Sequence, residues 1–168
     1  LKKMKANIKV KNLKKKSSEL MGDVIIKSSF LKPLSCPKKL VPAAIDEFPL
    51  LFSTAALTKG ISKFSGIEEL RHKESDRIKS MESGLNKIGI KTKSTKDSLK
   101  IFGNPNIKIK NTLKIFPKED HRIAMAFFCL AQILGGKVLI HNFETVNTSF
   151  PKFLYKMKKI GAKYEIQK

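Results

Sequence analysis

Two four-residue segments, Ile88-Gly89-Ile90-Lys91 and Ile160-Gly161-Ala162-Lys163, each close a helical pattern and open a strand-like one. The same succession precedes both. An apolar helix (Pro49–Thr58, then Ile123–Leu134) leads through glycine to a short strand, near Ile61–Phe64 and then Lys137–His141. A polar loop and a second helix follow, Lys73–Lys87 and then Phe150–Lys159. Leu1–Ile8 reads as the same helix-to-strand junction, entered partway through a unit. Recurrence at about 70–80 residues predicts stacked supersecondary units, each needing neighbours to bury its faces. Further strands are expected at Asp23–Ser28, Ile90–Ser94, Leu99–Phe102 and Tyr164–Ile166, while Asn104–Ile115 stays open between a loop and a strand pair. The helices Pro49–Thr58 and Ile123–Leu134 are apolar nearly all round, as inward-facing helices should be.

At 168 residues the chain suits one domain with a real core. It opens on Leu1 rather than Met, with no signal-like stretch before the charged segment Leu1–Lys16, and it reads as a piece of a longer chain. Cys36 and Cys129 have no paired or metal-like spacing, so reduced thiols in a cytoplasmic protein are expected. The longest apolar run, Ile123–Leu134, is too short to span a membrane. A net charge of +21 would ordinarily point to nucleic acid. However, the lysines are spread along the whole chain, and aromatics do not interleave with them as a base-stacking platform requires. Most of this charge reads as a solvated surface without specific nucleic-acid binding. A non-catalytic basic nucleic-acid-binding protein is kept as the alternative. No zinc-like His or Cys pair and no glycine-rich phosphate loop is visible, so neither a metal nor an organic cofactor is called for.

The densest chemistry lies in Glu69-Leu70-Arg71-His72-Lys73-Glu74-Ser75-Asp76-Arg77. Ile78, Met81, Leu85 and Ile88 then form the apolar face of a helix, which predicts Lys73, Glu74 and Arg77 in its first turn. Three arginines, at 71, 77 and 122, stand against thirty-two lysines. Such sparing use points to positions that need a planar, bidentate guanidinium, suited to carboxylate or phosphate. The other candidate polar residues also sit at helix starts: Asp46 ahead of Pro49, Asp120-His121-Arg122, and Thr148-Ser149 ahead of Pro151. Asp120, Thr148 and Ser149 read as ordinary caps. Cations there run against the helix dipole unless an anion binds, so several helix N-termini meeting at one mouth would form an anion site.

The segment Glu69–Arg77 resembles the signature of the EPSP synthases (3-phosphoshikimate 1-carboxyvinyltransferases). Ile45-Asp46-Glu47-Phe48-Pro49, Asp120-His121-Arg122-Ile123-Ala124-Met125 and Thr148-Ser149-Phe150-Pro151 resemble three more of its motifs, in the family's order and at about its spacings. The likeness runs from about residue 40 to the end, and more loosely before that.

The resemblance implies an α/β (α+β) fold: a two-domain enzyme of repeated βαβαββ units, an inside-out barrel with helices inside and sheets outside. Residues 1–168 would then be most of the C-terminal domain, with the N-terminal domain absent from the chain. The implied activity is that of a transferase of the shikimate pathway, leading to chorismate and the aromatic amino acids. It moves an enolpyruvyl group from phosphoenolpyruvate to the 5-hydroxyl of shikimate 3-phosphate and releases phosphate. Asp46 and Glu74 match the family's acid–base carboxylates. Lys73 matches a residue near the shikimate phosphate and the reacting centre. Arg77 and Arg122 match phosphoenolpyruvate-binding arginines, and His121 adjoins them, although the residue pattern by itself favours a structural hydrogen-bonding role for that imidazole. One departure is visible: some members carry lysine where Thr148 stands. A nucleotide-sugar enolpyruvyl transferase is the alternative within the fold. The chain alone is expected to be inactive.

Overall fold

A computed structural model describes residues 1–167. The three junctions anticipated above share one local geometry. Each turns through a left-handed residue: Lys5 (φ 62°), Gly89 (φ 96°) and Gly161 (φ 94°). The next amide then reaches back five residues, Ala6 to Leu1, Ile90 to Leu85 and Ala162 to Met157, at 3.3, 2.9 and 3.0 Å. This closure satisfies a carbonyl that the helical turn leaves open and aims the chain into the following segment. Glycine enters the left-handed region without the Cβ penalty that Lys5 bears.

The elements in chain order are strands β1 (Asn7–Lys16) and β2 (Glu19–Lys27), helices α1 (Val41–Ala44) and α2 (Phe48–Ala56), strand β3 (Gly60–Ser65) and helix α3 (Arg77–Ile88). Strands β4 (Thr92–Ser94), β5 (Ser98–Gly103) and β6 (Leu113–Ile115), helix α4 (His121–Leu134), strand β7 (Val138–Ile140) and helix α5 (Phe153–Lys159) complete the chain. β1 and β2 form an antiparallel hairpin; β3, β5 and β4 form an antiparallel sheet in that order; β6 and β7 pair in parallel.

Helices α2, α3 and α4 pack together, and the β3–β5–β4 sheet lies outside them with one dry face turned inward. β3 alternates in this way, with Ser62 and Phe64 buried and Ile61 and Lys63 outward. Phe48, Phe52 and Phe64 meet edge-on at centroid distances of 4.9–5.9 Å and fasten α2 to β3. A smaller cluster of Ala124, Phe128, Val146 and Phe153 joins α4 to α5.

Gly84 marks the crossing of α3 and α4. A Cβ there would overlap the ring of Phe127, so the glycine is a packing requirement rather than a turn. Alanine is the better helix former by roughly 1 kcal/mol. Gly84→Ala is nevertheless expected to lower stability by about 1–3 kcal/mol through overpacking. Urea unfolding of the two proteins checks this; a more stable variant would show that the helices can separate at no cost.

Two expectations are corrected and one open reading is resolved. Lys73 and Glu74 lie before α3, not in its first turn. A 3₁₀ turn spans Glu68–His72, Lys73 is extended, and Asp76 caps a helix that begins at Arg77. Tyr164–Ile166 forms no strand. Gln132 takes the place of a neighbouring strand there: its side chain accepts from Lys163 N at 2.9 Å and donates to Lys163 O at 3.3 Å. Asn104–Ile115 yields a loop and one strand, β6, rather than a pair. β1, in turn, carries lysines at five of the seven positions from 9 to 16 that lie outside Val10, and was legible only at its start near Ile8. Apolar side chains of the hairpin stay open, with Leu20 70% and Ile26 68% exposed.

Candidate active site

Three helix starts meet at one mouth. A 3₁₀ turn over Ile45–Glu47 delivers Asp46 ahead of α2, Arg77 is the first residue of α3, and Asp120 caps α4 just before Arg122.

Arg77 is the centre of the arrangement and is completely buried. Its Nε donates to Asp120 Oδ2 at 2.9 Å, Nη1 to Asp46 Oδ1 at 3.0 Å and Nη2 to Glu74 Oε2 at 2.6 Å. The dipole argument anticipated an anion beside this cation, and the protein itself supplies three carboxylates. Burial opposes the guanidinium charge, but the hydrogen bond and charge of Asp120, with Asp46 and Glu74, outweigh it and raise the pKa.

Arg122 stands at the opening and is partly exposed. Its Nη1 donates to the main-chain oxygen of Asp46 at 2.9 Å and to Glu47 Oε1 at 3.2 Å, and Nη2 lies 3.8 Å from Asp46 Oδ2. Lys73 Nζ is 2.6 Å from Glu69 Oε1 and 4.0 Å from Asp46 Oδ1. The hydrogen bond to Glu69 is the main reason its pKa is raised. Asp46 thus faces three cations. Partial burial would push its carboxyl up, yet the hydrogen bond from Arg77 and the charges of Arg122 and Lys73 hold it below the ordinary carboxylate value.

That depressed pKa sets a direction in pH. Asp46 is ionised more easily in the folded than in the unfolded protein, so its contribution to stability is full above the unfolded pKa and is lost as pH falls through the lower, folded one. Acid titration of the melting temperature should therefore show a decline below the ordinary carboxylate range that is shallower in Asp46→Asn. Parallel curves for the two proteins would remove Asp46 from the cation cluster.

Asp46, Lys73, Glu74, Arg77 and Arg122 are accordingly brought together. His121 is not. Its Nε2 lies 3.1 Å from Ser149 Oγ, and no hydrogen bond or ion pair among the described residues joins it to the other five. Thr148, where some EPSP synthases carry lysine, donates to the carbonyl of Thr145. Arg71, the remaining arginine, is an internal clamp: Nε donates to Lys96 O, Nη2 to Thr95 O and Nη1 to Asp76 Oδ2. It holds the loop between β4 and β5 against the residue that caps α3. In the sequence Asp120 shows only a capping role, since its second partner, Arg77, lies 43 positions away.

Chemically, the mouth offers two half-exposed carboxylates, Asp46 and Glu74, beside an ammonium and two guanidiniums. Arg122 and Lys73 can meet an incoming anion directly. Arg77 reaches one with its fork by exchanging Asp46 or Glu74.

A family model described as EPSP synthase (3-phosphoshikimate 1-carboxyvinyltransferase) matches residues 1–157. The 3-phosphoshikimate 1-carboxyvinyltransferase of Carboxydothermus hydrogenoformans is 42% identical over 160 residues, 95% of this chain and 37% of that protein. The enzyme of that name from Halorhodospira halophila is 37% identical over 166 residues, 99% of this chain and 37% of its own length. The chain therefore spans well under half of these relatives. An EPSP synthase structure from Acinetobacter baumannii superposes on all of it with a TM-score of 0.93 at 39% identity, using 39% of that chain. The enolpyruvyl transferase NikO of Streptomyces tendae (TM-score 0.66, 16% identity, 97% of this chain and 34% of its own) shares the fold. With the family model covering nearly its full length, the chain belongs to the EPSP synthase (3-phosphoshikimate 1-carboxyvinyltransferase) family.

Proposed function

We propose that the protein containing this chain transfers the enolpyruvyl group of phosphoenolpyruvate to the 5-hydroxyl of shikimate 3-phosphate and releases phosphate. The observation that carries this reading is the gathering of Asp46 and Glu74 around Arg77, with Lys73 and Arg122 beside them. The reaction is an addition followed by an elimination. In the addition, a base accepts the hydroxyl proton as its oxygen bonds to the substituted enol carbon, and an acid protonates the methylene carbon. In the elimination, a proton leaves that methyl group and phosphate departs. Two carboxyl groups in different settings suit the two proton transfers: Asp46 lies against three cations, whereas Glu74 is held by Arg77 alone among the described ion pairs. Arg77 and Arg122 are assigned to the phosphoenolpyruvate anion, where a planar fork matches carboxylate or phosphate. Lys73 is assigned to the acceptor side of the reacting centre, and His121 to shaping the neighbouring wall through Ser149.

On this reading residues 1–168 are most of the C-terminal domain, and an N-terminal domain supplies the remaining contacts to shikimate 3-phosphate. Open apolar side chains on the β1–β2 hairpin accord with cover by the rest of the protein. Among the described residues no helix is long and apolar enough to cross a membrane. Cys36 and Cys129 are free thiols whose pKa values burial raises, in keeping with a cytoplasmic protein.

Phosphate release from phosphoenolpyruvate and shikimate 3-phosphate tests the proposal directly. The full-length protein should turn over, and Leu1–Lys168 alone should not, because anion contacts left open to water are far weaker than those in a closed site. Adding the separate N-terminal half should restore activity. A full-length protein that binds neither substrate would overturn the assignment.

A further inference from the structure

Asp120 carries more than a helix cap requires. Its carboxylate is fully buried and accepts four hydrogen bonds, about as many as its oxygens can take. Oδ1 accepts from the amides of Arg122 at 3.0 Å and Ile123 at 3.3 Å. Oδ2 accepts from Ser75 Oγ at 3.0 Å and Arg77 Nε at 2.9 Å. Capping needs only one oxygen, which Asn, Ser or Thr supplies as well. A full charge buried for that purpose alone would carry an unrewarded desolvation cost. The second oxygen accepts from Arg77 Nε, while Nη1 and Nη2 go to Asp46 and Glu74.

We infer that Asp120, steadied by Ser75, is a positioning residue that sets the two arginines of the mouth against one another. One oxygen holds the start of the helix from which Arg122 projects; the other holds Arg77 by Nε and leaves its Nη atoms facing the carboxylates. With all four acceptor positions filled, Asp120 has no capacity to bind substrate and acts only through these neighbours. The inference rests on the proposed reaction for its kinetic form, although the contact between Asp120 and Arg77 does not.

Asp120→Asn separates the two roles in the full-length protein. The amide oxygen preserves the cap, while the NH₂ group cannot accept from Arg77 Nε or Ser75 Oγ. The KM for phosphoenolpyruvate is expected to rise at least tenfold, with that for shikimate 3-phosphate moving less than twofold. Ser75→Ala should shift the same constant in the same direction by a smaller factor, and Ser75→Thr, which keeps the hydroxyl, should restore it. A lower melting temperature or lower kcat with both KM values unchanged would reduce Asp120 to a cap and overturn the inference. Should the wild-type protein show no turnover, the proposed reaction fails. The Arg77 Nε–H signal in ¹⁵N NMR, identified by its loss in Arg77→Lys, then decides the inference: protected from exchange in wild type and exposed in Asp120→Asn supports it, and equal protection in both refutes it.

Discussion

Arg77→Ala is expected to destabilise the full-length protein by about 3–5 kcal/mol, the range seen when one partner of a buried ion pair is removed. The reason lies in what remains. Asp120, itself fully buried, loses its cation, Asp46 and Glu74 lose theirs, and the space is left lined by three carboxylates. Arg77→Lys should recover only part of the loss, since one ammonium cannot donate along the three directions of the guanidinium fork. Urea unfolding with an unchanged m-value measures the effect. A loss below about 1 kcal/mol would mean that the three-way contact contributes little to folding, and the picture of Arg77 as the centre of the mouth would fall.

Glu74→Gln is expected to act the other way, on turnover and hardly on folding. Its side chain is 48% exposed, and a glutamine oxygen can still accept from Arg77 Nη2, so the melting temperature should stay within a few degrees. What glutamine cannot do is exchange a proton. Loss of a positioned acid–base group lowers rate by roughly 10²–10⁴-fold. The kcat of the full-length enzyme should fall in that range with the substrate constants little changed. Wild-type kcat in Glu74→Gln would remove Glu74 from the proton transfers.

These two substitutions concern residues three positions apart in one motif, yet nothing in their spacing separates their roles. A charged residue at a helix start reads as solvated. Arg77 is instead completely buried, because Asp46 and Asp120 arrive from 31 and 43 residues away. Helix geometry also misplaced Lys73 and Glu74. The spacing of Ile78, Met81, Leu85 and Ile88 fixes a helical face but not the first residue of the helix, which Asp76 sets by accepting from Lys79 N at 2.9 Å while Arg71 grips the same side chain at 2.7 Å.

What the chain's sequence determined by itself was whatever its own neighbours settle: the glycine turns at Gly89 and Gly161, the cap at Asp120, the inward faces of α2 and α4, and motifs specific enough to indicate a family. Such features need only a few adjacent residues, since a cap or a left-handed turn is satisfied within one turn of chain. Only the tertiary structure decided which charges are buried, that Gly84 is required by Phe127, that Gln132 replaces a strand beside Lys163, and that His121 turns to Ser149 rather than to the arginines. Desolvation and ion pairing depend on atoms packed from distant parts of the chain, and no periodicity in the sequence records where those atoms meet.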